Sequence, residues 1–173
     1  MNETMDNQQV TTHQLAWLAG IWDGEGSFCI VYDSNERYVQ RITLSNTDVV
    51  MINEIIKIFD KSNIHGNLWQ ETTSRKQNHK KAYHITINKM NDVKVITELM
   101  LPYLISKKPR AELLIRFVNS RLKYKAKAKR DPETGKVRGI EKQGYTEEEK
   151  SLYQQMKELN QVGIKVGTSE TAR

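Results

Sequence analysis

The sequence predicts an α+β fold with an αββαββα core, a four-stranded antiparallel sheet that carries its helices on one face, and a C-terminal helical extension. Segments with helical periodicity alternate with paired β-forming segments, and a polar stretch joins each pair. Within the predicted strands apolar residues alternate with polar ones, so one face of the sheet is apolar and covered by helices while the other is polar.

The first helix is predicted to start at Thr11 or Thr12, which suit the N-cap position, and to end near Trp22 or Asp23. Its large apolar residues share one face, and small residues recur every four positions on another face. Such a ridge lets a second helix approach closely, and a homodimer would supply that helix. The residues predicted at the dimer contact are Ala16, Trp17, Ala19 and Gly20.

Two hairpins are predicted. In the first, "SFCIVYD" (27–33) and "YVQRITLSN" (38–46) flank a short polar turn. In the second, "NLWQETT" (67–73) and "KAYHITIN" (81–88) flank a basic loop.

Three further helices complete the predicted core. One follows Thr47 or Asp48 and separates the hairpins, and the next starts at Asn91 after the second hairpin. The last core helix starts near Pro109, since proline suits the first turn of a helix.

The predicted domain organisation has three parts. Residues 1–11 form a polar lead, residues 12–122 form the α+β domain, and residues 123–173 form a basic linker followed by a helix capped by Thr146. The end of the chain is expected to be disordered. The basic segment after residue 122 is expected to add phosphate contacts at the flank of the dimer.

The composition narrows the class of protein. Lys and Arg outnumber Asp and Glu by 27 to 21 and the isoelectric point is about 9.3, which mildly favours a nucleic-acid partner. The single cysteine, Cys29, excludes an intrachain disulfide and a cysteine-based zinc site and indicates an intracellular, reducing compartment. No apolar run is long enough to span a membrane. The sequence does not indicate an organelle, bacterial, archaeal or phage origin.

A lone carboxylate, Glu25, follows the first helix and lies between two glycines. The last carbonyls of a helix carry the negative end of its dipole, so a cation is favoured there. A carboxylate, a helix-end carbonyl and waters are hard oxygen ligands, which suit Mg²⁺ better than zinc. On these residues alone, an ordinary helix end with surface acids is the simpler interpretation.

The segment "LAGIWDGEG" (18–26) resembles the signature of the LAGLIDADG homing endonucleases. Seven of its nine residues match the residue types of the signature, and Trp22 is a bulkier version of an aliphatic position. The predicted element order is also that of the family, and "PYLISKKPRAELLIRF" (102–117) resembles its late segment, where a lysine precedes the last core helix. Members with one motif act as homodimers, and this chain has one.

The resemblance implies a site-specific endonuclease that binds a long, nearly palindromic DNA duplex and cleaves both strands with Mg²⁺. It implies that the metal ligands are Glu25 and the carbonyl of Gly24, and that Lys107 stabilises transition-state charge or holds a water. Asn46 falls where the family often has a polar residue near the nucleophilic water. The basic residue that members can carry after this position is missing, and the candidate replacements are Arg110 and Lys108.

By its pattern alone, the polar sheet face is most simply interpreted as solvated. The resemblance implies instead that it lies in the DNA major groove, where a sheet can contact base edges. The DNA contacts expected along the strands are Ser27, Cys29, Val31, Asp33, Val39, Arg41, Thr43, Trp69, Glu71, Thr73, Ala82, His84 and Thr86. Phosphate contacts are expected from the loop of the second hairpin, at Arg75, Lys76, Lys80 and Lys81.

Three alternative functions remain open from the sequence. The same fold can act as a maturase that binds intron RNA, and the presence of Glu25 and Lys107 does not exclude this. A catalytically silent DNA-binding protein is a second alternative, although loss of the acid would be its mark and the acid is present. The third is an unrelated α+β binding module with a chance motif.

Overall fold

The computed structural model of the chain describes residues 9–72, 80–124, 128–140 and 144–161. The predicted fold class is confirmed: five α-helices and a four-stranded antiparallel sheet alternate in the predicted order within these residues. In chain order the elements are α1 Thr12–Glu25, β1 Gly26–Tyr32, β2 Tyr38–Asn46, α2 Val49–Lys61, β3 Asn67–Gln70, β4 Tyr83–Ile87, α3 Met90–Met100, a 3₁₀ turn Leu101–Tyr103, α4 Lys108–Leu122, β5 Ala128–Arg130, β6 Val137–Ile140 and α5 Glu147–Gln161.

The main sheet has the strand order β1-β2-β4-β3, and every neighbouring pair is antiparallel. Alternate residues of the strands therefore share a face. Six apolar side chains point to the helices and are buried: Phe28, Ile30, Ile42, Leu44, Ile85 and Ile87. Their burial, together with that of apolar residues on α1 to α4, drives the helices onto this one face.

The helix ends follow local capping chemistry. Thr11 and Gln14 form a capping box at the start of α1, and the Asp48 side chain accepts hydrogen bonds from Val50 N and Met51 N at the start of α2. α1 runs two to three residues further than predicted, to Glu25. The Trp22 ring on α1 packs 6.0 Å from the Phe59 ring on α2, between centroids.

The C-terminal segment contains a strand pair that the sequence analysis missed. β5 and β6 form a separate hairpin whose turn is closed by the Asp131 carboxylate, which accepts hydrogen bonds from Glu133 N at 2.9 Å and Thr134 N at 2.8 Å. Gly135 follows with φ of +67°, a conformation that favours glycine. The Asp-Pro-Glu-Thr-Gly turn was the available signal, since the short charged strands lack apolar alternation.

The predicted C-terminal helix, α5, packs on α4 and β1. Leu152 and Met156 are fully buried in the common hydrophobic core, which therefore continues beyond residue 122. Glu149 is also fully buried, and its carboxylate accepts hydrogen bonds from Ser120 Oγ at 3.0 Å and Arg121 Nη1 at 3.4 Å. The tail that was expected to be disordered lies outside the described residues. Among the described helices, none is long and apolar enough to cross a membrane.

Candidate functional site

The end of α1 places Glu25 on the surface directly before the first strand. Glu25 is the last residue of the helix and is exposed, and the chain enters β1 at Gly26 without an intervening loop. Gly26 is buried, and a Cβ at this position would lie 2.3 Å from Cδ1 of the fully buried Trp22 ring. The tight turn that presents Glu25 therefore requires glycine at position 26.

The ammonium of Lys107 lies against the same helix end. Its Nζ donates hydrogen bonds to the carbonyls of Trp22 at 2.9 Å, Gly24 at 3.3 Å and Gly26 at 2.6 Å. Burial lowers the pKa of Lys107 below its usual value, while the negative charges of Asp23 and Glu25 oppose that shift. The structure thus brings together Glu25, Gly24 and Lys107, which the sequence analysis selected separately.

Asp23 holds the segment that carries Lys107, a role that the sequence analysis did not assign. Its carboxylate accepts hydrogen bonds from the backbone N of Ile105 at 2.6 Å, Ser106 at 3.3 Å and Lys107 at 2.9 Å, and from Ser106 Oγ at 3.2 Å. Burial opposes ionisation of Asp23, but these hydrogen bonds outweigh it and leave the pKa of the carboxyl below its usual value.

The two contacts form a reciprocal pair of helix caps. α4 has no side-chain cap from its own N-cap residue, Lys107, and Asp23 supplies a carboxylate at its positive end. In return, the ammonium of Lys107 lies at the negative end of α1. Each charge sits at the unfavourable end of its own helix, and this was the sequence signal for a partner elsewhere in the chain.

Asn46 lies at the same end of the sheet as Glu25, because β1 starts at Gly26 opposite Leu44 and β2 ends two residues later. Its side-chain oxygen accepts a hydrogen bond from Asp48 N at 2.9 Å and so forms the turn into α2. Its amide nitrogen has no hydrogen-bond partner among the residues that the structure describes.

Arg110 does not fit its predicted role as the positively charged residue that replaces the missing one at the site, and the other candidate, Lys108, is exposed at the start of α4. The guanidinium of Arg110 donates hydrogen bonds to Leu159 O at 2.5 Å and Asn160 Oδ1 at 2.9 Å, so it fastens the end of α5 to the first turn of α4. A helix C-terminus attracts a cation in this way.

One chain offers an incomplete set of metal ligands. The exposed Glu25 carboxylate and the Gly24 carbonyl are hard oxygens, which fit Mg²⁺, but Lys107 also uses the Gly24 carbonyl. Within the described part of the chain, no cluster of three or more His, Cys, Asp or Glu side chains could hold a metal ion. The residues therefore fit an open site in which waters, a substrate oxygen or a second chain supply the remaining ligands.

The open face of the sheet arranges the predicted DNA-binding residues in rows across the strands. One row joins Ser27, Thr43, Thr86 and Asn67, another joins Cys29 and Arg41, a third joins Val31 and Val39, and a fourth joins Ser45, His84 and Trp69. Two residues on this face, Ser45 and Asn67, were not predicted from the sequence. Ser45 continues the alternation of Arg41 and Thr43 along β2, and Asn67 lies two residues before Trp69 on β3.

Two side-chain nitrogens on this face are left without a hydrogen bond by the described part of the chain. Arg41 Nε and His84 Nε2 are shielded from water and have no hydrogen-bond partner among the described residues. The His84 ring is held by Ser45 Oγ, 2.7 Å from Nδ1, and by the Trp69 ring, which stacks on it at a centroid distance of 3.9 Å. Glu71 Oε1 lies 3.7 Å from Nε2, within ion-pair distance of a protonated histidine. These groups provide hydrogen-bonding capacity at the centre of the sheet.

The remaining predicted contacts fall into three groups. Asp33 is engaged in the β1–β2 turn, where its carboxylate accepts hydrogen bonds from Asn35 N and from the backbone and guanidinium of Arg37, so it is a poor candidate for contacting bases. Lys80 is exposed and Ala82 is half-buried beside β4. Three predicted contacts lie outside the described residues: Thr73, Arg75 and Lys76.

The predicted dimer contacts separate into exposed and buried residues. Ala16, Trp17 and Gly20 are exposed on α1, with 41% of the Trp17 surface accessible. Ala19 is fully buried in the core of its own chain, and its assignment to the dimer contact is wrong. The reason is helical geometry, since Ala19 lies three residues before Trp22 on the stripe that faces the sheet.

Comparisons with known proteins identify the family and the fold. A family model described as "LAGLIDADG endonuclease" matches residues 18–118. No curated protein sequence matches the chain.

Solved structures of homing endonucleases share the fold. The LAGLIDADG homing endonuclease I-GzeII, in complex with its DNA target, is 22% identical, with 63% of this chain and 36% of that chain covered and a TM-score of 0.50. The archaeal intron-encoded homing endonuclease I-Vdi141I, complexed with DNA, is 14% identical, with coverage of 64% and 70% and a TM-score of 0.50. The group I intron-encoded homing endonuclease I-CeuI, complexed with DNA, is 16% identical, with coverage of 68% and 59% and a TM-score of 0.50.

Proposed function

The chain belongs to the LAGLIDADG endonuclease family, and from this premise we propose that it is a site-specific DNA endonuclease. We propose that it binds a long, nearly palindromic duplex as a homodimer and hydrolyses both strands with Mg²⁺. The observation that carries the proposal is the exposed Glu25 carboxylate at the end of α1, with the Lys107 ammonium bonded to the carbonyls on both sides of it.

Each residue of the site has a defined part in the proposed hydrolysis. Glu25 and the Gly24 carbonyl would hold Mg²⁺, which when bound acts as a Lewis acid and activates a water. Lys107 places a positive charge beside them and would stabilise the negative charge that develops on the phosphate. The amide nitrogen of Asn46, which makes no hydrogen bond to another described residue, would donate a hydrogen bond that orients the water.

A homodimer would complete the site. Ala16, Gly20 and Gly24 are exposed on one edge of α1, and a Cβ built at Gly20 or Gly24 meets no atom of the described residues within 4 Å beyond its own stretch of helix. A two-fold contact along this edge would place two α1 C-termini, and so two Glu25 carboxylates, side by side. Each of the two acids would serve one DNA strand. The second chain would supply metal ligands that a single chain lacks.

The open sheet face is the proposed DNA-binding surface. It carries Arg41 Nε and His84 Nε2, which make no hydrogen bond to the described part of the chain, the hydroxyls of Thr43 and Thr86, and the exposed Trp69 ring. Arginine and histidine can donate to purine acceptors in the major groove, and an apolar ring can contact a thymine methyl. Three structures that share this fold are described as DNA complexes, which supports the proposal.

Cleavage of a randomised duplex DNA library in Mg²⁺ tests the proposed function. Wild-type protein is expected to make double-strand breaks at a nearly palindromic site, whereas Glu25→Gln should bind the selected site without cutting it. Glu98→Gln is the matched control, because it removes an exposed helical carboxylate whose one ion-pair partner among the described residues is Lys94. It should cut like the wild type.

Two outcomes would contradict the proposal. If wild type and Glu25→Gln bind nucleic acid equally and neither cuts, the acid has no catalytic role and the chain is a nucleic-acid-binding protein of this fold. Preference for structured RNA in that experiment would favour a maturase. If Glu25→Gln cuts as fast as wild type, another group must supply the metal ligand.

A further inference from the structure

We propose that Asp23 is a positioning residue for strand cleavage, and that it acts by holding the backbone of the segment that ends in Lys107. The inference rests on the proposed function, because it concerns how Lys107 is kept beside Glu25. Asp23 lies 84 residues before Lys107 in the chain, and the 2.9 Å hydrogen bond from Lys107 N joins the two directly.

The segment 105–107 depends on this one carboxylate. Within the described residues, the backbone N–H groups of Ile105, Ser106 and Lys107 all donate to Asp23 and to no other group. Side-chain packing contributes little, since Ile105 is 87% exposed and Ser106 is exposed as well. Without Asp23, three N-terminal amides of the α4 entry would lack a protein acceptor.

Lys107 is held at both of its ends by the residues that flank Glu25. Its backbone is bound by Asp23, and its ammonium by the carbonyls of Trp22, Gly24 and Gly26. The position of the ammonium relative to the Glu25 carboxylate is therefore set by a closed loop of contacts. If Asp23 is lost, the ammonium is attached through a flexible side chain on an unanchored backbone. A displacement of about 1 Å in a catalytic group can lower a rate by roughly 100-fold.

Asparagine is the informative replacement because it keeps the shape of Asp23. One carboxylate oxygen accepts from Ile105 N and Ser106 N, and the other accepts from Ser106 Oγ and Lys107 N. The amide of asparagine has one oxygen, so its NH₂ group must face backbone donors on one side. At least one backbone hydrogen bond is then lost, because the amide N–H of asparagine and a backbone N–H face each other and both are donors.

The matched control is Asp92→Asn. Asp92 is a buried acid that also accepts a distant backbone hydrogen bond, from His65 N at 3.0 Å, and it pairs with Lys89. Asp92 lies at the end of the sheet opposite to the site. It follows the last residue of β4, Ile87, whereas Asn46 pairs with Tyr83 at the first residue of that strand. Asp92→Asn should lower thermal stability to a similar extent and leave cleavage unchanged.

A double-mutant cycle on cleavage tests the positioning role. Asp23→Asn is expected to lower the single-turnover cleavage rate by about 10- to 100-fold, with the dissociation constant for DNA unchanged. In the background of Lys107→Met, the further loss caused by Asp23→Asn should disappear. A wild-type rate for Asp23→Asn, or the same fold-loss in both backgrounds, would overturn the proposal.

Amide hydrogen exchange on the free protein provides a second readout that needs no substrate. Asp23→Asn should speed exchange at residues 105–107, while Lys107→Met should leave Asp23 and these amides in place and protected. Unchanged exchange at 105–107 in Asp23→Asn would overturn the proposal by itself. If the wild type does not cleave DNA, the proposed function fails, whereas exchange still shows whether Asp23 holds this segment.

Discussion

Replacement of Gly20 by alanine separates the packing of α1 within the protomer from its packing in a dimer. Gly20 lies in the middle of α1 and is exposed, and a Cβ at this position would meet no described residue within 4 Å beyond its own stretch of helix. The added methyl group therefore costs nothing inside the protomer. It would meet resistance only from a second chain that approaches the helix closely at this position.

The two effects have opposite signs. Alanine is favoured over glycine in a helix interior by about 0.5–1 kcal/mol, so the folded protomer should gain roughly that much stability. Across a two-fold axis the substitution adds two methyl groups to one contact. Overpacking typically costs about 1–3 kcal/mol, which weakens dimerisation by about 5- to 150-fold.

Sedimentation equilibrium measures the dimer dissociation constant, and urea denaturation at low protein concentration measures the stability of the protomer. Ser151→Ala is the control, because it raises helix propensity at an exposed position of α5. It should stabilise the protomer slightly and leave the dissociation constant unchanged.

An unchanged dissociation constant for Gly20→Ala would refute the proposal that this edge of α1 forms the dimer contact. A less stable protomer would refute the conclusion that the position is open within the chain. A wild type that is monomeric at all concentrations would exclude the homodimer itself.

Three further predictions follow from individual contacts. Gly26→Ala should lower the free energy of unfolding by about 1–3 kcal/mol in urea denaturation, because its Cβ would lie 2.3 Å from the buried Trp22 ring; a wild-type midpoint would show that this turn can relax. Trp69→Ala should weaken DNA binding at least about fivefold by fluorescence anisotropy and change the melting temperature little, since the ring is 53% exposed; unchanged affinity would remove it from the interface. The hydrogen bond from Arg37 holds the pKa of Asp33 below its usual value, so this carboxylate stabilises the β1–β2 turn above about pH 4 and the contribution is lost as pH falls through the lowered pKa. The protection factor of the Arg37 amide, which is its intrinsic exchange rate divided by its observed rate, should fall over that acidic range in the wild type but not in Asp33→Asn.

The order of the elements could be predicted because it depends on neighbours in the chain. The Thr11 capping box, the alternation of Arg41 and Thr43 with buried residues, and the proline in the first turn of α4 are all local signals. The β5–β6 hairpin was missed although its turn chemistry is also local, because its charged strands carry no apolar alternation. Asn67 and Ser45 were within reach of the same alternation argument.

Partners distant in the chain were decided by how the elements pack. The sequence by itself identified Glu25 and Lys107 as separate candidates, from the helix end and from the resemblance, but could not show that the Lys107 ammonium bonds the carbonyls beside Glu25. It placed Asp23 within the motif without assigning it a role. Only the tertiary structure joins Asp23 to Ile105, Ser106 and Lys107. An unfavourable charge at a helix end indicates that the charge needs a partner, but it does not indicate where in the chain that partner lies.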